Sequence, residues 1–195
     1  MNKFGFKENI THDEINQLPV TIFQGDIHVI NTTEELDVVA NKLQQVKVLG
    51  FDTETKPTFK KGKFNKVSLL QLSTDTDVYL IRLLKVGLNE KIAQILSDPG
   101  VVKVGAAIHD DIKTLQHIRK FEPHGFVELQ TFVKDFGIED NGLKKLAANI
   151  LQIKISKRQQ TSNWEAPILT KPQREYAATD AWVCLEIYNK LKELV

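Results

Sequence analysis

Residues 46–83, VKVLGFDTETKPTFKKGKFNKVSLLQLSTDTDVYLIRL, decide the fold. Within them VKVLGFDT (46–53), VSLLQLST (67–74) and DVYLIRL (77–83) are short apolar runs bounded by polar or turn-forming residues, the text of three successive strands. The last two are joined by a tight turn near Asp75. Upstream, Thr32 and Glu35 form a capping box ahead of a helical stripe of Leu36, Val39, Ala40 and Leu43. Downstream, Asn89 caps a short helix through Leu96, VVKVGAA (101–107) is a further strand, and residues 110 to about 120 form a helix. FVELQ (126–130) is a weaker strand or a strand-to-helix junction. This order predicts an α/β fold: a mixed five-stranded sheet with helices on both faces. Residues 1–27 are polar and weakly patterned and read as a loosely attached extension, leaving 28–195 as the domain.

The C-terminal third is the clearest helical text. Thr170 with Gln173 makes a capping box, Pro172 falls in the first turn, and the helix should run from about Lys171 to Leu194. Its inward stripe is Tyr176, Asp180, Val183, Cys184, Ile187, Tyr188 and Leu191, which puts a carboxylate among apolar neighbours. An isolated charge there costs several kcal/mol or more unless something compensates it. Period 2 along residues 46–53 places Asp52 and Glu54 side by side on one strand face, where they repel unless a cation sits between them. Asp111 opens the helix after VVKVGAA, a position the helix dipole favours for an acid. Four acids at the edge of one core point to bound metal.

With 195 residues, 42% hydrophobic and 26% charged, the composition is that of a single globular domain without a membrane-spanning stretch. MNKFGFKENITHDEINQ has no apolar leader core, so a cytoplasmic protein is expected. The single cysteine, Cys184, excludes an intramolecular disulfide and a cysteine zinc site, and in AWVCLEI it reads as a buried structural thiol. Net charge is +1, yet Lys56, Lys60, Lys61, Lys63 and Lys66 fall in a window without acids, as do Lys144, Lys145, Lys154, Lys157 and Arg158. Two cationic patches beside candidate metal ligands suit a polyanionic substrate.

Asp-x-Glu in GFDTET, Asp111 in IHDDIKTL, and Tyr176 four positions before Asp180 in YAATDAW resemble the DEDD family of 3′–5′ exonucleases on the ribonuclease H-like fold. The tyrosine, with Glu175 where a histidine would otherwise stand, makes the chain similar to the DEDDy branch. SNWEAPILTKPQREYAATDAW and GLKKLAANIL resemble ribonuclease D and Werner-type domains, and GFDTETKPTFKKGKFNKVSLLQLS is similar to the Werner-type first motif. The likeness covers about residues 28–195. It implies a three-layer fold and a phosphodiester hydrolase that releases nucleoside 5′-monophosphates. It also implies two divalent ions, Mg²⁺ or Mn²⁺, on Asp52, Glu54, Asp111 and Asp180, with Tyr176 orienting the attacking water.

The implied partner is nucleic acid with a free 3′ end, and no membrane. Lys56, Lys60, Lys61, Lys63, Lys66, Lys157 and Arg158 are candidates for the phosphate backbone. Phe59, Phe64 and Trp164 are candidates for stacking on a terminal base, against core packing as the other role. DNA is favoured by the first-motif likeness. The alternatives are a ribonuclease D-like enzyme trimming RNA 3′ ends and a catalytically silent nucleic-acid-binding domain.

Overall fold

In the computed structural model, which describes residues 2–58 and 65–195, the elements follow in chain order. They are α1 (His12–Gln17), β1 (Asp26–Ile30), α2 (Thr33–Leu43), β2 (Val48–Thr55), β3 (Val67–Ser73), β4 (Asp77–Arg82), α3 (Leu83–Val86) and α4 (Glu90–Ser97). Then come β5 (Val102–Gly105), α5 (His109–Ile118), β6 (Phe126–Glu128), α6 (Leu129–Phe132), α7 (Leu143–Leu146) and α8 (Lys171–Lys192). A 3₁₀ turn, Val133–Phe136, follows α6, and a π-helical turn, Ala147–Leu151, follows α7. Thr32, Asn89 and Thr170 cap α2, α4 and α8 as the sequence requires, Thr32 and Thr170 through full capping boxes.

The strands form one sheet in the order β1-β4-β3-β2-β5-β6. β3 is antiparallel to both neighbours, and the remaining pairs are parallel. The sheet therefore has six strands among the described residues rather than the expected five. The addition is β1, whose DIHVI sequence carries Asp26 and His28 on an edge strand bonded on one side only. Strand alternation sorts β2 between two cores. Leu49 and Phe51 turn toward α2, α4 and α5, and the even-numbered residues turn toward α8. Gly50 lets α8 come close, since a Cβ there would overlap the Ala181 carbonyl oxygen and Ser73 Oγ.

The N-terminal segment is docked, not loose. Phe6, Ile10, Ile15 and Phe23 are buried; Asn149 pairs with both backbone groups of Lys7, and Asp140 Oδ2 accepts from the Ile10 N–H at 2.6 Å. Its apolar anchors lack a helical or strand period, which hides the docking from pattern reading. Among the described residues no helix is long and apolar enough to cross a membrane.

Candidate active site

The acids meet where α8 crosses the sheet: β2 supplies Asp52 and Glu54 near its C-terminal end, and α8 passes over that face with Asp180. One carboxylate oxygen from each of the three lies within 4.8 Å of the others. Glu54 and Asp180 are buried, and Asp52 is half-buried at the floor of a cleft of about 310 Å³. Burial is the chief cause of the high proton affinity here. It holds the Asp52 carboxyl well above the carboxylate range, with Asp180 and Asp111 adding repulsion. Glu54 is pushed up to about 10, first by burial and then by Asp52. Asp180 rises to about 7, because burial outweighs a hydrogen bond from Tyr176 and the nearby charge of Lys157.

Asp111 stands apart from this triad for a reason visible in the strand. Thr53 lies between the two acids and so turns to the opposite face, toward α5, where its hydroxyl donates to Asp111 Oδ1 at 2.6 Å. Asp111 thus sits at the rim of the cluster, half-buried and raised above the usual range by burial, while its charge still acts on Asp52 and Glu54. The turn that delivers α5 is held by Glu128, whose carboxylate accepts from the Ala107 and Ile108 N–H groups at 2.9 and 2.8 Å. Ala107 takes a left-handed φ of 61°, an uncommon conformation for a residue with a side chain, which those bonds retain.

Tyr176, one turn before Asp180 on α8, lines the cleft with its phenol beside the Asp180 carboxyl. Burial and the surrounding acids raise its phenol above the ordinary value, so it remains neutral. Trp164 lies behind it, with ring centroids 6.0 Å apart. The stacking role expected as one possibility for Trp164 is corrected by its position: the ring is fully buried in the core with Leu69, Ala177 and Ala178, so no base can reach it. A smaller cavity of about 140 Å³ lies on the other side of Tyr176 and shares Ser156 with the cleft.

The cationic candidates separate by direction. Lys157 lines the cleft, Arg158 lines the smaller cavity, and Lys66 is exposed ahead of β3. Lys56 pairs with Glu165 at 3.1 Å. Lys60, Lys61 and Lys63, with Phe59 and Phe64, lie outside the described residues. Lys144, from the second cationic window, also lines the cleft, whereas Thr53, Glu128 and Gln130, at or behind it, are not marked as functional by the sequence. Of these only Thr53, between the two acids of GFDTET, carries a usable signal. His109, beside the acids in sequence, is exposed on α5 and faces Asp110 at 3.6 Å. Cys184 is buried, with its thiol pushed well up by burial, which suits packing rather than nucleophilic attack.

The donor set fits divalent cations. Three hard oxygen ligands converge where mutual repulsion prevents joint ionisation without added positive charge. Comparison with known proteins agrees with this chemistry. A sequence model described as 3′–5′ exonuclease matches residues 27–195. Exonuclease 3′-5′ domain-containing protein 2 of Drosophila melanogaster is 34% identical over 86% of this chain, which spans 30% of that protein. The solved structure of the Nibbler EXO domain from Aedes aegypti superposes with a TM-score of 0.80 at 28% identity, covering 89% of this chain and 92% of that one. Escherichia coli RNase D, described as an exoribonuclease involved in structured RNA processing, shares the fold, with a TM-score of 0.78 at 24% identity over 86% of this chain and 44% of that one. The chain spans between a quarter and a half of the length of the leading curated relatives.

Proposed function

The chain belongs to the 3′–5′ exonuclease family, and from that premise we propose that it hydrolyses nucleic acid from a free 3′ end, releasing nucleoside 5′-monophosphates. The observation that carries the reading is the convergence of Asp52, Glu54 and Asp180 within 4.8 Å at the floor of a cleft. A binding module gains nothing from carboxylates held where they repel one another. Asp52, Glu54 and Asp180 would hold one Mg²⁺ or Mn²⁺, and Asp52 with Asp111 a second. When bound, such ions offset the charge that builds on the attacking and departing oxygens.

The protein's own groups have separable roles in this proposal. Tyr176, neutral and beside Asp180 in the cleft, orients the attacking water without taking its proton. Lys157 and Lys144 line the cleft and hold the phosphate by charge, which supplies affinity without sequence preference. Trp164, packed behind Tyr176, fixes the phenol's position.

DNA is the preferred substrate in this reading, on the likeness of GFDTETKPTFKKGKFNKVSLLQLS to the Werner-type first motif. The fold shared with an exoribonuclease supports RNA as the second reading. The test is digestion of matched 5′-labelled DNA and RNA oligonucleotides, single-stranded and recessed, with Mg²⁺, Mn²⁺ or EDTA. Stepwise shortening with either metal and none in EDTA is expected, faster on DNA. No shortening of any strand under either metal refutes the enzyme; cleavage of closed circles refutes the exonuclease assignment.

A further inference from the structure

A separate cavity lies two strands from the acid cluster on the same rim of the sheet. Pairing carries Glu54 of β2 to Leu69 of β3, and Leu69 to Arg82 of β4. Directly paired residues share a sheet face, and two strand spacings put the Arg82 backbone about 10 Å from that of Glu54. β2 and β4 are both antiparallel to β3, so Arg82 ends its strand at the same edge where Glu54 nearly ends β2. Beside Arg82 opens a cavity of about 340 Å³, to which Lys85 of α3 and Arg174 of the first turn of α8 also contribute.

Three cations and no carboxylate line this cavity among the described residues. Lys85 donates to Asn31 Oδ1 at 2.8 Å and to the Pro167 carbonyl at 3.2 Å, which fixes its ammonium in place. Arg82 is only 4% exposed; its Nη2 donates to the Ala166 carbonyl at 2.5 Å, while Nη1 has no hydrogen-bond partner among the described residues. Arg174 Nε is likewise buried without a partner among them. A guanidinium does not escape burial by losing its proton, so unspent donors of this kind favour an added acceptor beside them, and the surrounding positive charge favours an anionic one. Two guanidiniums with unspent N–H groups and a fixed ammonium around one cavity match a phosphate, which accepts several charge-assisted bonds at once. Ile168, 83% exposed, adds an apolar lip on which a sugar can rest.

We propose that this cavity is a second phosphate site, taking a backbone phosphate of the nucleic acid whose 3′ end occupies the acid cluster. It rests on the exonuclease reading and gives that strand an anchor away from the cleaved bond. The shared rim and face allow one polynucleotide to reach both places.

The test uses the full chain and the double variant Lys85→Ala/Arg174→Gln, with Arg82→Lys as a charge-preserving companion that removes the fork. Anisotropy with labelled 12-mer DNA and RNA in EDTA, over a range of salt, reads binding. Hydrolysis of the p-nitrophenyl ester of thymidine 5′-monophosphate with Mn²⁺ reads the acid cluster alone. The double variant should bind the 12-mers about tenfold more weakly. Its log–log salt dependence should shallow by about 0.7 for each single-strand phosphate that the variant no longer neutralises. Ester hydrolysis should match the parent protein. Parental affinity and salt slope in both variants overturn the proposal. Calorimetry with inorganic phosphate supplies the other arm: phosphate binding abolished in the double variant while 12-mer binding is unchanged assigns a free-anion site and overturns the backbone role. If the parent protein cleaves neither ester nor oligonucleotide, the exonuclease reading fails, and the cavity still stands or falls on the binding comparison.

Discussion

Replacing Glu54 with glutamine should make the metal-free protein more stable at alkaline pH while removing most of its response to divalent cations. Glu54 is 9% exposed, and its carboxyl is pushed from 4.5 to about 10 by burial and then by Asp52. Because the folded value lies above the unfolded one, the stability linked to this proton is fully present below pH 4.5 and is lost progressively as pH rises toward 10. At pH 8 about 3.5 units of that window have been crossed, and at about 1.4 kcal/mol per unit the ceiling is about 5 kcal/mol. Asp52 and Asp180 share the repulsion and relax when one charge leaves, so a gain of about 3 kcal/mol is expected, or roughly 6–12 °C in Tm for a chain of this size. Thermal unfolding in EDTA at pH 5 and pH 8 measures it: Glu54→Gln should lead the parent protein at pH 8 and converge with it at pH 5. Millimolar Mn²⁺ should then raise the parent Tm at pH 8, since a ligand at a hundred times its Kd adds about 2.7 kcal/mol, and should raise the variant far less. The reasoning is refuted if Glu54→Gln is no more stable than the parent at pH 8 in EDTA, or if Mn²⁺ shifts both proteins equally.

Asp52→Ala should abolish release of nucleotides while leaving the far-ultraviolet circular dichroism and the cooperative melt intact; full activity in that variant contradicts the metal assignment. Tyr176→Phe should retain a small fraction of the parental rate with little change in KM, because it removes a hydroxyl beside Asp180 and leaves the acids in place. Trp164→Ala should cost about 3–5 kcal/mol in urea unfolding, as expected for truncating a fully buried large side chain, and the surviving folded fraction should turn over slowly through a loosened Tyr176. Gly50→Ala should be worse for activity than for secondary structure, since its Cβ forces α8, and with it Asp180, away from β2; unchanged turnover would show that the close approach does not set the cluster.

Sheet and helices are legible in sequence where a period is uninterrupted. Residues 46–83 announce β2, β3 and β4 through apolar runs between turn residues, and the stripe on α8 announces its buried side. β1 escapes because five residues with Asp26 and His28 look like loop, and only pairing with β4 makes them a strand. The N-terminal segment escapes for a related reason: its anchors meet partners near Asp140 and Asn149, far along the chain, and no local pattern encodes that docking.

For the site, the same distinction falls between residues whose cost is local and residues whose meaning depends on direction. Asp180 can be read from its helix because a carboxylate one turn before Val183 and Cys184 is expensive wherever that helix packs. A lysine carries no such signal. Lys56 turns to Glu165, Lys145 to Asp140 and Lys157 to the cleft, although all three stand in acid-free windows of sequence. Arg82, at the end of DVYLIRL, reads in sequence only as the close of a strand, because its unspent donors become visible once Lys85 and Arg174 are folded beside it. Burial of an ionisable group is therefore the stronger guide in both places: it marks the carboxylates at the end of β2 as candidates for cations and the guanidinium at the end of β4 as a candidate for an anion, on one rim of one sheet.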